Sequence, residues 1–423
     1  MAKAAPIGKK MVEAGLDLLS PKHCFLTSYI LQERRNVFSK WRFFLEILPK
    51  TMENFPIFFS AEEEALLEGS PFLEQVKDKR RDIEKDYETI AEVAPELREW
   101  TLREFSEVRM MVSSRIFGMN IEGQKTDGFV PMADMLNHKR PRETSWTYTD
   151  EKVGFVIEAC MDIPRNNQIF DSYGKKCNSR FFLNYGFIVE NNDGNEVPIK
   201  VALRGHDPLL ALKKQLLADG ATTAPPASAG PDAQPFRKFR VSEDMRARTT
   251  RECLSFLRYT LYEEKVAMLY QFQSTNTPPA YALNDSDEDS DDDKDDTSFK
   301  ATNIPAVSIS NERTVLLALK ELCLECLAKY PTTFQEDLEI LEHPPPDLDF
   351  SRRNCVLMRS GEKQVLHFLI SVADLFMAIL ASGSTKVSCR LFNSGSEEGL
   401  QSGEEELRRR PRRLLQLRGP GAA

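Results

Sequence analysis

Three separated segments of the chain, read together, decide the fold. The central segment, 131–138, reads PMADMLNH, and it is preceded by SSRIF at 113–117 and followed by DSYGKKCNSRFFLNYGF at 171–187. Each segment alone is weak, because an Asn-His pair usually marks a turn and a Tyr-Gly pair usually ends a strand. The ordered set is specific, since chance rarely produces all three motifs at these separations.

The pattern around these segments predicts an α+β fold. Apolar residues recur at helical spacing over 25–48, 62–68, 71–93 and 96–117. Short strands are predicted at 128–132, 145–149, 153–158 and 168–172, where β-branched and aromatic residues alternate with turn formers. Helical patterns return at 207–217, 243–272, 312–329 and 361–381, with Asn311 as the expected N-cap of the third.

Taken together, the motifs resemble those of the SET methyltransferases, in particular the branch of the Rubisco large-subunit methyltransferase. The resemblance covers about residues 15–380. Segments 41–49 and 58–67 resemble the helical insert of that branch, and 311–341 and 359–368 resemble its C-terminal substrate-binding domain. It implies a β-rich SET core with a helical insert, followed by an all-α domain.

The domain limits follow from the same resemblance. A SET domain is expected at 1–192, with its insert at about 25–110 and its core at about 111–192. A helical substrate-binding domain is expected at 193–382, interrupted by disordered loops at 221–235 and 275–303. A disordered basic tail is expected at 383–423, where RRRPRRLLQLR could import the protein into the nucleus or bind an anionic surface.

The resemblance also implies a role for individual residues. Tyr173 would be the catalytic tyrosine and would also contact the cofactor, S-adenosylmethionine. Arg115 would bind the methionine carboxylate, Asn137 the methionine amino group, and His138 the adenine through its backbone. The substrate channel would be lined by Ser114, Phe117, Asp134 and Tyr185. Each residue also has a plain structural interpretation: Phe117 and Phe187 could belong to the core, and Asp134 could be a cap.

The expected activity is transfer of a methyl group to a lysine of a protein substrate. An aromatic residue at Phe117 is similar to the lysine-modifying members, whereas the actin-histidine type carries a polar residue there. A histidine acceptor stays open. So does a catalytically impaired binding module, because the Gly-x-Gly strands that open a SET domain are not recognised before Phe25.

Composition excludes several other classes. The net charge of −9 disfavours nucleic acid, although nine carboxylates lie in one run at 285–296. Eight cysteines without a dense framework, and no visible signal peptide, favour the cytoplasm or nucleus. The Cys323–Cys326 pair lacks partners at zinc spacing, so no metal is expected.

The apolar segment 365–380 contains His367 and Asp374, which favours a buried helix over a membrane span. A monomer is expected.

Overall fold

The computed structural model describes residues 1–149, 154–218, 236–262, 306 and 308–381. Contacts divide them into two units, the first comprising Met1–Asn192 with Glu339–Met358 and the second comprising Asp193–Leu338 with the residues from Arg359 onward. The domain limits predicted from the sequence place 339–358 with the second region instead. The predicted loops at 221–235 and 275–303 and the tail at 383–423 lie outside the described residues.

The first unit is built mainly from helices. They are α1 (Pro6–Glu13), α2 (Pro21–Arg35), α3 (Arg42–Ile47), α4 (Ala61–Ala65), α5 (Phe72–Val93), α6 (Leu102–Arg115) and α7 (Asn178–Tyr185). One apolar core joins them, and Phe72, Phe105 and Phe182 are fully buried in it. Burial of each such side chain contributes about 1.5–3 kcal/mol relative to exposure, so this core fixes the frame on which the site is built.

Helices α4 and α6 begin at reciprocal capping boxes. The hydroxyl of Ser60 accepts from the backbone of Glu63, and Thr101 and Glu104 form the same arrangement. The sequence pattern predicts that the second of these helices runs through Phe117, but the structure ends it at Arg115. From Ile116 the backbone is extended and pairs with Phe129, so strand pairing replaces the last helical turn. Phe117 therefore lies in a strand.

Strands in the first unit form small two-stranded sheets. An antiparallel hairpin joins β1 (Ile116–Ile121) to β2 (Gln124–Phe129), and a second joins β4 (Thr144–Thr149) to β5 (Gly154–Ala159). A short parallel pair joins β3 (Asn137–His138) to β6 (Phe170–Asp171). The parallel pair connects the central and the last sequence motifs.

The second unit is mostly helical and also contains an antiparallel strand pair. Its described helices are α8 (Leu210–Ala218), α9 (Arg248–Leu261), α10 (Ile309–Leu327), α11 (Phe334–Glu342) and α12 (Phe350–Ala381), the last two being shared with the first unit. Strands β7 (Glu196–Ala202) and β8 (Phe236–Ser242) pair antiparallel, which the all-α prediction for this region did not include. The α+β fold class is confirmed.

Two predictions for these helices need comment. The N-cap of α10 is Ser308, whose hydroxyl accepts from the backbone of Asn311, so the helix begins two residues before the predicted cap. Length and composition alone would allow α12 to cross a membrane, as they would for the core helix of a soluble protein. Leu366 and Leu369 on this helix are fully buried in the apolar core of the second unit.

Candidate active site

The parallel strand pair brings the central motif beside the last motif. Asn137 lies opposite Phe170 and His138 lies opposite Asp171. The backbone N–H of Lys139 donates to the carbonyl of Asp171 at 2.9 Å, which extends the pairing by one bond. Residues separated by more than thirty positions in the sequence therefore become neighbours.

Tyr173 follows this pair, and both its backbone and its phenol are held in place. Its backbone N–H donates to Nδ1 of His138 at 3.0 Å, and its hydroxyl donates to the carbonyl of Leu136 at 2.6 Å. Burial raises the pKa of the Tyr173 phenol to about 12, although the nearby Arg115 opposes the rise. The phenol is therefore neutral near pH 7 and keeps its proton for donation.

Four other rings form one packed group with this tyrosine. Tyr173 stacks on Tyr185 with centroids 5.0 Å apart, and His138 lies 4.7 Å from Phe181. Phe187 contacts all four of these rings at 5.4–6.3 Å. We call His138, Tyr173, Phe181, Tyr185 and Phe187 the aromatic cluster. Its low polarity accounts for the lowered pKa of His138, about 4, for which burial is the largest cause.

A left-handed glycine closes the aromatic cluster. Gly186 ends α7 with φ 75°, a conformation that side chains disfavour, and this turns the chain so that Phe187 returns to the cluster. A Cβ at this position would lie 2.5 Å from the side-chain nitrogen of Asn54, which donates to the Gly186 carbonyl. The side chain of Asn178 holds the segment after Gly186 in place: its amide nitrogen donates to the carbonyl of Val189, and its oxygen accepts from the backbone N–H of the same residue.

An ion pair connects the first motif, 113–117, to the central motif, 131–138. Nη1 of Arg115 donates to the backbone carbonyl of Asp134 at 2.9 Å and to its Oδ2 at 3.2 Å. The other carboxylate oxygen, Oδ1, is buried without a hydrogen-bond partner among the described residues. Burial raises the pKa of Asp134, and Arg115 opposes the rise. A buried acceptor of this kind can receive an N–H group of a ligand.

Two predicted channel residues, Phe117 and Ser114, make contacts of their own. Phe117 packs edge-on against Trp146 at 5.4 Å and against Phe155 at 5.1 Å, so these three rings form an aromatic group of their own on β1, β4 and β5. The hydroxyl of Ser114 donates to the carbonyl of Met111 within its own helix. The structure thus brings Arg115, Asp134, Asn137, His138, Tyr173 and Tyr185 together, with Phe117 in the neighbouring aromatic group.

The polar side chains fit the amino-acid part of S-adenosylmethionine. Arg115 uses one guanidinium nitrogen for Asp134, and the rest of its fork suits a carboxylate. Asn137 is exposed, and its amide oxygen and the unpartnered Oδ1 of Asp134 are acceptors suited to an ammonium group. No group of three or more potential metal ligands occurs in the described part of the chain.

Known proteins show the same architecture. Residues 204–366 match the family described as Rubisco LSMT substrate-binding. The solved structure of Rubisco LSMT bound to AdoMet aligns with 95% of this chain and 85% of its own, at a TM-score of 0.63 and 20% identity. The LSMT SET domain bound to lysine and AdoHcy aligns over the same shares with a TM-score of 0.65. This chain has the Rubisco LSMT fold. The resemblance predicted from the three motifs is confirmed.

Curated relatives with this likeness are protein methyltransferases. The actin-histidine N-methyltransferase of Mus musculus is 25% identical over 361 residues, which is 82% of this chain and 55% of the relative. A ribosomal lysine N-methyltransferase of Schizosaccharomyces pombe is 26% identical over 200 residues, covering 46% of this chain and 36% of the relative. The chain thus spans about half the length of this actin-histidine N-methyltransferase.

Within the LSMT fold, the sequence did not single out three of the aromatic residues near the site. Phe181 lies four residues before Tyr185 on α7, so the helical spacing alone places both rings on one face. Trp146 and Phe155 lie on different strands. Trp146 is opposite Ile157, two residues from Phe155, and only the pairing of β4 with β5 lets the two rings stack with centroids 5.2 Å apart. That register depends on tertiary structure and could not be read from either strand.

Proposed function

We propose that the protein is an S-adenosylmethionine-dependent protein-lysine N-methyltransferase. The observation that carries the proposal is the position of the Tyr173 hydroxyl, held at 2.6 Å from the Leu136 carbonyl directly before the Asn137–His138 pair. It is supported by the LSMT fold, whose solved structures hold AdoMet, and by relatives that are protein methyltransferases.

Each polar residue of the site has a distinct task in this proposal. S-adenosylmethionine, when bound, supplies a methyl group on a sulfonium, which passes in line to the nitrogen of the acceptor. Arg115 binds the carboxylate of the cofactor and Asn137 its amino group, while the backbone of His138 holds the adenine. Tyr173 keeps a neutral hydroxyl beside the transferring methyl and positions it without competing for that methyl as a phenolate.

The aromatic cluster prepares the acceptor nitrogen. A lysine attacks only as the neutral amine, whereas free lysine has a pKa of about 10.4. Apolar ring walls disfavour the ammonium form and thereby lower that pKa. Tyr185 and Phe187 supply such walls beside Tyr173, and both are half-buried. The same burial excludes water from the path of the methyl group.

A histidine acceptor is the second candidate, and the actin-histidine relatives favour it. Lysine is preferred because Phe117 is aromatic where the resemblance places a polar residue in the histidine-modifying type, and its ring, packed against Trp146 and Phe155, has no group that could hydrogen-bond an imidazole. A non-catalytic binding module is the third candidate. It predicts that the protein does not bind S-adenosylmethionine, which titration calorimetry measures directly.

The decisive experiment compares Tyr173→Phe with Tyr148→Phe. Each protein is incubated with methyl-labelled cofactor and a cell extract, and incorporation into protein is counted. Tyr173→Phe should lower the rate by at least about 100-fold, as expected for loss of a preorganised hydroxyl. Tyr148, on β4, is the matched control and should label as the parent does. Equal labelling by Tyr173→Phe would remove the assignment, provided calorimetry shows that both variants bind the cofactor.

Location and assembly follow as further proposals. The described cysteines are free thiols, and most of them are buried, which supports a reducing compartment such as the cytoplasm or nucleus. We propose that the protein acts as a monomer on a protein that exposes the acceptor side chain. Imaging of a tagged full-length chain and sedimentation of the purified protein test the two statements separately.

A further inference from the structure

Four large apolar side chains lie exposed in one short segment of the first unit. Phe38 is 91% exposed, Phe43 78%, Val37 75% and Ile47 58%. We call Val37, Phe38, Phe43 and Ile47 the Phe38 patch. Single exposed apolar residues are ordinary on soluble proteins, whereas four within eleven positions are a concentration of the kind found at interaction sites.

Ordered contacts hold the Phe38 patch in this exposed position. Ser39, between the two halves of the segment, is buried; its hydroxyl bonds to Glu33 and accepts the backbone N–H of Trp41. The indole of Trp41 donates to the hydroxyl of Tyr29 at 2.9 Å. The segment is therefore fixed on the first unit, so its exposure is a property of the folded state.

Helix α3 has one buried face and one exposed face. Phe44 packs edge-on against Phe129 at 5.7 Å, whereas Phe43 and Ile47, one helical turn apart, point together into solvent. Phe129 pairs with Ile116, which lies between Arg115 and Phe117. A molecule bound to the exposed face of α3 therefore lies on the element that packs against the strands of the candidate site.

Charge indicates the chemistry of that molecule. Segment 34–50 carries five cations (Arg34, Arg35, Lys40, Arg42 and Lys50) and one carboxylate, in a chain whose net charge is −9. Arg42 pairs with that carboxylate, Glu46, and Arg35 pairs with Glu99, so an excess of positive charge stays on the segment. Lys40 lies over the ring of Trp41 at 5.2 Å, and Lys40 and Lys50 are both exposed. A partner with apolar side chains between carboxylates complements both features of the surface.

We propose that the Phe38 patch docks a segment of the protein substrate in which aromatic or aliphatic residues alternate with acidic ones. The proposal rests on the proposed function, since it assigns the patch to the same substrate. Docking at this surface selects the substrate protein and raises the local concentration of its acceptor side chain at Tyr173. It leaves the chemical step unchanged.

The test uses the full chain and a fluorescent peptide in which Phe and Leu residues alternate with pairs of Glu. Anisotropy should show binding by the parent and at least about tenfold weaker binding by F38S/F43S, because two rings lose their burial. Val12→Ser removes an exposed apolar side chain on α1, outside the patch, and should bind as the parent does. A peptide with Ser in place of Phe and Leu should lose binding to all three proteins.

Three results would overturn the proposal. The first is that F38S/F43S binds the peptide as tightly as the parent does. The second is that the parent sediments as a dimer and F38S/F43S as a monomer. The third is that the parent binds phosphatidylserine vesicles but not the peptide. The binding readout is independent of methyl transfer. If the parent binds the peptide but transfers no methyl label to proteins of the extract, the proposed function alone is refuted. If the parent transfers the label but F38S/F43S binds the peptide as tightly as the parent, the docking surface alone is refuted.

Discussion

Replacing His138 with Gln should remove a specific part of the acid sensitivity of the first unit. Nδ1 of His138 accepts the backbone N–H of Tyr173, and its ring packs 4.7 Å from Phe181. Burial lowers its pKa from 6.5 to about 4, and Arg140 and Lys176 add to the effect. The unfolded chain therefore takes up a proton that the folded protein excludes. The stabilisation is complete above pH 6.5 and is lost as the pH falls toward 4.

The two pKa values give the size of the effect. Linkage predicts that the free energy of unfolding falls by about 1.3 kcal/mol between pH 7.5 and pH 5.5 through this one imidazole, and by about 2 kcal/mol by pH 5. Buried His23 also has a pKa lowered by burial, so it contributes in the same direction. Because His23 is present in both parent and variant, its contribution cancels in their difference.

Urea unfolding followed by tryptophan fluorescence measures this difference. All three tryptophans, Trp41, Trp100 and Trp146, lie in the first unit. The stability gap between parent and His138→Gln should shrink by about 1.3 kcal/mol from pH 7.5 to pH 5.5. Exposed His343→Gln is the control and should parallel the parent. A gap that stays constant over this range would show that the imidazole is not protected from protonation, and the buried geometry of the site would be wrong.

Three further predictions concern a glycine, a buried ion pair and the acceptor. Gly186→Ala should lower the free energy of unfolding by about 1–2 kcal/mol more than Gly123→Ala in urea titrations, because both have positive φ but only the first places a Cβ 2.5 Å from a side-chain nitrogen. Asp207→Asn should cost about 3–5 kcal/mol in the second unit, because the fully buried ammonium of Lys213 loses its compensating negative charge and keeps the carbonyls of Thr260 and Tyr262; exposed Asp244→Asn should cost about 0.5 kcal/mol. With a lysine peptide, kcat/KM, which reports the free reactants, should keep rising from pH 7 to pH 9 because free lysine has a pKa of about 10.4, whereas a histidine acceptor, with a pKa of about 6.5, would give a plateau.

The sequence predicted the site better than it predicted the strands. The motifs at 113–117, 131–138 and 171–187 do meet, because β3 pairs with β6 and Arg115 reaches Asp134. Their residue types are constrained by chemistry, and that constraint is visible in a single sequence. Phe117 was placed in a helix because its neighbours continue the 3.6-residue pattern, and only pairing with β2 overrides that pattern.

The antiparallel strand pair of the second unit was missed for a different reason. In β7, Val197, Ile199 and Val201 alternate with less buried residues, which is a strand pattern. Pro198 lies in its middle and disfavours a strand, because it cannot donate to a partner. Its partner β8 begins at Phe236, at the far end of the low-complexity stretch 221–235, and no local signal connects the two. Pairing across such a separation is decided by the shared core.

The titratable groups of the site share one electrostatic tendency, and it bears on the proposed reaction. Burial raises the pKa of Tyr173 and Asp134 and lowers that of His138, so each shift favours the neutral form. Asp171, on the strand beside His138, shows the same rise. The environment that makes Tyr173 and Asp134 weaker acids and His138 a weaker base should also make a lysine that enters the site a weaker base. This matters because only the deprotonated amine accepts a methyl group. In the proposed reaction the aromatic cluster would therefore activate a lysine acceptor without a dedicated general base, since the burial that keeps the Tyr173 phenol protonated also favours loss of the proton from the amine.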